Sequence, residues 1–80
     1  MSEIKDYTKI KVVGKSWKGS WRKALWIHQV TNNYKDVFVP KSIVKGLVEY
    51  KEEERIPAVQ MYIPNWFFDK HRRDLERFVI

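Results

Sequence analysis

Hydrophobic and polar residues alternate along several stretches of this chain, a pattern typical of β-strands half-buried in a sheet. The clearest stretches are Thr8–Val13 and Ala58–Ile63, and both place β-branched or other apolar residues on one face. The nearly continuous apolar run Ala24–Val30 predicts a central strand, and Val37–Val39 predicts its hairpin partner. Pro40 lacks an amide donor, so it should end that partner strand or place it at a sheet edge.

Within the central strand, alternation separates two sets of side chains. The residues expected on one face are Leu25, Ile27 and Gln29, and those expected on the other are Trp26, His28 and Val30. In the later strand, Val59, Met61 and Ile63 are expected to face the core.

Turn-forming residues separate these stretches. Gly14–Ser20 contains two glycines and two serines and is predicted to be a loop, and Thr31–Asp36 is predicted to be the hairpin turn. Lys51–Arg55 is interpreted as a solvated charged turn. Lys41–Tyr50 leaves two alternatives open, a short turn of helix near its start and a further strand near its end.

In the C-terminal residues, the spacing of the hydrophobic side chains changes from the period of a strand to that of a helix. Phe67, His71, Leu75 and Phe78 recur at i, i+4, i+8 and i+11, which forms one stripe along a helix. Asn65 is suited to the N-cap of this helix. The stripe is therefore predicted to pack against the sheet.

These elements predict an α+β fold, in which one C-terminal helix closes a small, strongly bent antiparallel sheet of four or five strands, like an SH3-type or OB-type barrel. The 80 residues are too few for a second core, so residues 1–80 are expected to form a single domain. The N-terminus lacks the apolar run of a signal peptide, and no stretch is long enough to span a membrane. A cytoplasmic location is expected.

Charge is distributed unevenly along the chain. Residues 1–46 contain ten basic and three acidic residues, a net charge of +7, whereas residues 47–80 have a net charge of −1. The basic residues are densest between Lys5 and Lys23. Such asymmetry favours an anionic partner, of which nucleic acid is the commonest.

Few residues suggest catalysis or metal binding. The chain has no cysteine, and its two histidines, His28 and His71, fall in different predicted elements without carboxylate company. No nucleophile, base and acid can be assembled into a catalytic set. We therefore expect a binding protein with no cofactor and no metal, and not an enzyme.

The segment Trp17-Lys-Gly-Ser-Trp21 carries the strongest functional signal. Aromatic rings stack on unpaired bases, and neighbouring cations neutralise phosphate. The predicted nucleic-acid-binding residues are Lys9, Lys11, Lys15, Trp17, Lys18, Trp21, Arg22, Lys23 and Lys41. Two alternatives remain open: one or both rings fold back onto the core, or the cluster binds a protein.

Three motifs resemble a group of small proteins seen in phages and mobile elements. They are residues 23–27 (Lys-Ala-Leu-Trp-Ile), residues 36–42 (Asp-Val-Phe-Val-Pro-Lys-Ser) and residues 63–67 (Ile-Pro-Asn-Trp-Phe) with Lys70. The resemblance covers about residues 22–70 and implies a phage-type origin rather than an activity. The segment Trp17–Trp21 lies outside the family pattern.

Two functions are consistent with these features. The first is a phage-type protein that binds nucleic acid, preferentially single-stranded DNA or RNA, in the host-cell cytoplasm. The alternative is an inhibitor or modulator that binds a host or defence enzyme. The basic charge favours the first, because a strongly acidic, DNA-mimicking surface would have favoured the second.

Overall fold

The computed structural model describes residues 6–80, so Lys5 lies outside the described part of the chain. Residues 6–80 form six strands and a short helical C-terminal segment. The strands are β1 (Tyr7–Val13), β2 (Trp17–Trp21), β3 (Ala24–Ile27), β4 (Val37–Pro40), β5 (Lys45–Glu52) and β6 (Ile56–Pro64). They form two antiparallel three-stranded sheets, ordered β1-β6-β5 and β2-β3-β4.

A single cluster of buried side chains contains residues from both sheets and from the C-terminal segment. Alternation explains its composition, because every second residue of each central strand faces the other sheet. The fully buried members are Ile10, Val12, Leu25, Ile27, Val39, Val59, Met61, Ile63 and Leu75. The inward face predicted for β6 is therefore confirmed, and of the two faces predicted for β3 the one with Leu25 and Ile27 is buried.

The α+β prediction is confirmed, but the strands form two separate sheets instead of one bent sheet, and they do not close into a barrel. The change of sheet occurs at a 3-10 turn, Gly14–Ser16, that joins β1 to β2. Gly14 has a φ of 65° there, a conformation that glycine adopts without steric cost.

The prediction that Gly14–Ser20 is a loop is wrong for its second half, which belongs to β2. This strand pairs with β3 and contains a bulge between Trp17 and Gly19. Gly19 has a φ of 89°, so the glycine that suggested a loop allows the irregular register instead. Pairing with β3 satisfies the β2 backbone and outweighs the low strand propensity of Gly and Ser.

The segment Lys41–Tyr50, for which a helical turn and a strand were both possible, contains one of each. Lys41–Ile43 forms a 3-10 turn directly after β4, and β5 begins two residues later. β4 ends at Pro40 and lies at the edge of its sheet, as the missing amide donor predicted.

The C-terminal helix is interrupted instead of continuous. It consists of α1 (Asn65–Lys70) and α2 (Arg72–Leu75), followed by a 3-10 turn, and His71 between them is not helical. The last residues then turn back to β1, where Val79 bridges Ile10. In the predicted stripe, Phe67, Leu75 and Phe78 are buried and His71 is half-buried.

The N-cap prediction for Asn65 is wrong. Pro64 occupies that position, and the Asn65 side chain instead accepts a hydrogen bond of 2.6 Å from the Thr8 hydroxyl. Within residues 6–80, no helix is long and apolar enough to cross a membrane.

Candidate nucleic-acid interface

The outer face of the sheet β2-β3-β4 carries three aromatic side chains, Trp21, Trp26 and Phe38, which we call the aromatic platform. Trp26 and Phe38 are direct cross-strand partners on β3 and β4. Trp21 is at the end of β2, opposite Ala24. Neighbouring residues in β3 and β4 are buried on the inner face, so alternation directs the platform residues outward.

Phe38 contacts both tryptophans of the platform, and two of the three rings are exposed while Trp26 is half-buried. Trp26 and Phe38 are stacked with centroids 5.6 Å apart, and Trp21 is tilted against Phe38 at 6.2 Å. Trp21 is 54% exposed and Phe38 is 44% exposed. Gly19 lies opposite Trp26, and a Cβ placed on it would meet no atom within 4 Å. The space next to Trp26 on the β2 side is therefore open.

Asp36 fixes the orientation of Trp26 by accepting a hydrogen bond of 2.8 Å from its indole Nε1. The same carboxylate accepts a hydrogen bond from the backbone N–H of Gln29 and lies 3.1 Å from His28 Nδ1. Burial alone would raise the pKa of Asp36, but the hydrogen bonds from Gln29, Trp26 and His28 outweigh it and lower the pKa from 3.8 to about 2. Asp36 is therefore ionised at neutral pH.

Four exposed cations border the platform. Arg22 and Lys23 form the turn between β2 and β3, and the Arg22 guanidinium lies 4.8 Å from the Trp21 ring centroid. Lys41 follows β4, and its backbone N–H donates a 3.0 Å hydrogen bond to the Lys23 carbonyl, which brings these two lysines to the same corner. Lys18 lies in the β2 bulge. Among the described residues, none of the four is ion-paired.

The other predicted cations lie elsewhere. Lys9 and Lys11 belong to β1, on the other sheet, where Lys9 lies 5.6 Å from the Tyr62 ring. Lys11 forms a 2.5 Å ion pair with Glu52, and the hydrogen bond to that carboxylate raises the pKa of Lys11. Lys15 is exposed in the turn between the sheets. Lys9 and Lys11 are thus not adjacent to the platform, and the charge of Lys11 is already compensated.

The structure corrects the position of Trp17. Its side chain is 8% exposed and belongs to the hydrophobic core, so the ring is not available on the surface for stacking. The alternative in which a ring of this segment folds back onto the core therefore describes Trp17, whereas Trp21 is exposed.

Sequence reasoning missed Trp26, Phe38 and Asp36 as site residues. Alternation placed Trp26 on one face of its strand, but it could not say whether that face would be covered. The short run Val37–Val39 gave no register, so the contact between Phe38 and Trp26 was not predictable. A stacked cross-strand aromatic pair becomes visible only when the two strands are aligned.

Within residues 6–80, no group of three or more His, Asp or Glu side chains could hold a metal ion. No family model matches the chain, and no curated protein or solved structure matches it significantly. The resemblance to phage and mobile-element proteins therefore stays a prediction, and any function has to be argued from the residues themselves.

Proposed function

We propose that this protein binds single-stranded nucleic acid on the outer face of the sheet β2-β3-β4. The observation that carries the proposal is the aromatic platform, with Trp21 and Phe38 exposed, bordered by four cations that form no ion pair within residues 6–80. Large aromatic rings are costly to leave in water, and their clustering on one face is typical of a binding surface. Four adjacent cations favour a partner that offers flat rings and negative charge together.

The geometry of the platform favours bases over other flat groups. The indole N–H of Trp26 is already held by Asp36, so Trp26 offers a partner its ring rather than a hydrogen-bond donor. Ring stacking is tolerant of sequence, because every base has a π-face. We therefore expect little sequence preference.

An unpaired strand is the expected form of the ligand. In a duplex, both faces of each base are covered by its stacked neighbours, and an aromatic ring can reach only an unstacked base. No side chain covers Gly19 next to Trp26, because a Cβ there would meet no atom within 4 Å, so this part of the face is accessible to such a base. Duplexes should bind more weakly than single strands of the same sequence.

The cations predict a defined salt dependence. If Lys18, Arg22, Lys23 and Lys41 each neutralise one phosphate, log K should fall against log[salt] with a slope of about −3 on single strands. Adding Lys9, Lys11 and Lys15 would steepen the slope to about −5. The slope therefore tests whether the site is limited to one sheet.

Several broader expectations belong to the same proposal. The protein would act by binding, without catalysis or a cofactor, in the cytoplasm of the cell that makes it, which is a host cell if its origin is a phage. The SH3-type or OB-type comparison is also part of the proposal, because OB-folds likewise bind single strands on an aromatic sheet face.

The test is a fluorescence-anisotropy titration of labelled single-stranded DNA and RNA with the parent protein, Trp21→Ala and Trp66→Ala. Trp21→Ala should lower the affinity about 5- to 150-fold, the equivalent of about 1–3 kcal/mol for one stacked base. Trp66→Ala is the matched control, since Trp66 is 61% exposed but lies at the start of α1, away from the platform. It should leave the affinity unchanged.

Equal losses in both variants, or none in Trp21→Ala, would contradict the assignment of the platform as the binding face. If the parent protein binds no oligonucleotide even at low salt, the proposal is wrong. The same exposed rings and Arg22 would then favour the alternative, a protein that docks onto an enzyme as inhibitor or modulator, because aromatic and arginine clusters also form protein-binding hot spots.

A further inference from the structure

A second group of aromatic and cationic side chains lies in the loop between β3 and β4 and the C-terminal segment. The ring of Tyr34 lies 5.8 Å from the Arg73 guanidinium and 5.7 Å from that of Arg77. We call these three residues the Tyr34 cluster. Two segments separated by about forty residues in sequence meet here, and neither arginine forms an ion pair within residues 6–80.

The chemistry of the Tyr34 cluster repeats that of the platform, where Arg22 covers Trp21. An arginine stacked on an aromatic ring keeps its outer N–H groups available for a phosphate oxygen. Lys35 adds a third cation, and Asn33, Lys35, Arg73 and Asp74 line an open depression at this place.

Acidic residues limit the electrostatic contribution of the cluster. Asp74 accepts a 3.2 Å hydrogen bond from the backbone N–H of Lys35, and Glu76 lies in the same C-terminal segment. The excess of positive charge is therefore small. Any contribution to binding must come mainly from the Tyr34 ring and from the guanidinium groups over it.

Partly buried hydrogen bonds connect the Tyr34 cluster to the platform. Gln29 is only 4% exposed. Its backbone N–H donates to Asp36, and its side-chain Nε2 donates a 2.6 Å hydrogen bond to the carbonyl of Asp74. Asp36 in turn holds the Trp26 ring. One buried residue thus ties α2 to the carboxylate that orients the platform, which fixes the two surfaces relative to each other.

The two surfaces are also close along the chain. Tyr34 precedes Phe38 by four residues, so their Cα atoms are separated by at most about 14 Å. A stacked single strand rises about 3.4 Å per nucleotide, so roughly four nucleotides would cover that separation. A continuous strand can therefore reach both surfaces within the site sizes known for small single-strand-binding domains, about 4–16 nucleotides.

We propose that Tyr34, flanked by Arg73 and Arg77, is a second stacking position for the same nucleic-acid strand that covers the platform. This inference rests on the proposed function and adds to it the length and path of the ligand: the strand continues from the platform past Asp36 to the C-terminal segment. The site then has two stacking surfaces separated by a short stretch that makes few base contacts.

The experiment is a length series of single-stranded thymidine oligonucleotides, from about three to about twelve nucleotides, titrated against the parent, Tyr34→Ala and Trp21→Ala. Affinity of the parent should rise again once the oligonucleotide is long enough to reach Tyr34. Tyr34→Ala should abolish this second rise and weaken the longest oligonucleotides about 5- to 150-fold, while leaving the shortest unaffected. Trp21→Ala should weaken every length.

Two further variants keep the test decisive if Tyr34→Ala is destabilised, because Tyr34 is half-buried. Tyr34→Phe preserves the ring and should bind like the parent at every length. R77Q, which changes an exposed side chain, should weaken only the long oligonucleotides. If Tyr34→Ala and R77Q bind all lengths like the parent, the second position does not exist, although the platform can still be the site. If the parent binds no length at all, the proposed function itself fails.

Discussion

Because of the bulge in β2, one tryptophan of this strand is buried and the other is exposed. The same substitution should therefore reduce the stability much more at Trp17 than at Trp21. Trp17 is packed in the core, and Trp17→Ala would leave a cavity between the sheets. Truncation of a buried large aromatic residue costs about 3–5 kcal/mol. Trp21→Ala removes a solvated ring with one aromatic and one cation–π contact, which together contribute about 1–2 kcal/mol at most.

These magnitudes are large relative to the stability of a small domain. A chain of this length is expected to have a free energy of unfolding of about 4–12 kcal/mol. Trp17→Ala should therefore remove about a quarter or more of it, and in the extreme leave the chain unfolded. Trp17→Phe keeps most of the apolar surface and provides a milder variant that should remain folded.

Urea unfolding followed by circular dichroism measures the difference directly. With a urea m-value of about 1 kcal/mol per molar for so short a chain, the midpoint should fall by about 3 M or more in Trp17→Ala and by at most about 2 M in Trp21→Ala. Folded Trp17→Phe should bind oligonucleotide like the parent. The reasoning is refuted if Trp17→Ala unfolds at the parent's midpoint, because Trp17 would then contribute nothing to the core.

Three further predictions concern other parts of the structure. The pKa of Asp36 in the folded protein, about 2, is below its ordinary 3.8. The ionised Asp36 carboxylate therefore stabilises the folded state fully above about pH 4, and this stabilisation is lost as the pH falls towards 2. The free energy of unfolding of the parent should fall by about 1–2 kcal/mol over this range. In urea titrations across that range, Asp36→Asn should lack this part of the acid dependence, and an unchanged acid dependence would contradict the assignment. Leu75→Ala empties a fully buried position and should cost about 2–5 kcal/mol, whereas an unaltered melting temperature would show that α2 does not pack on the core. Gly46→Ala should destabilise β5 measurably in thermal melts, because Gly46 has a φ of 61° and a Cβ there would lie 3.0 Å from Tyr62 Cδ1; a variant as stable as the parent would show that this conformation is not required.

Much of the fold could be predicted from local patterns. Alternation identified β1, β6 and the inward face of β6, and the apolar run from Ala24 with its hairpin partner identified β3 and β4. The helical stripe likewise identified Phe67, Leu75 and Phe78 as core residues. The sequence did not reveal that the helix is interrupted at His71, since the chain end turns back to bridge β1 at Ile10, a contact between residues far apart in the sequence.

The candidate site was only half predictable. The density of cations and aromatic residues near Trp21 was visible in the sequence, whereas the turn that carries Arg22 and Lys23 was not predicted. The other half of the platform depends on register, because Trp26 and Phe38 meet only when β3 and β4 are aligned. Lys9 and Lys11 are near Trp21 in sequence, yet the change of sheet at Gly14–Ser16 separates them from the platform.

The two tryptophans of β2 illustrate the division between sequence and tertiary structure. The sequence by itself determined that both are large apolar rings among cations, and a regular strand would direct residues 17 and 21 to the same face. The bulge between Trp17 and Gly19 inserts one extra residue between the two tryptophans, so their side chains lie on opposite faces of the strand. Whether a bulge forms depends on pairing with β3, so only the tertiary structure decided that Trp17 packs in the core and that Trp21 is exposed to a partner.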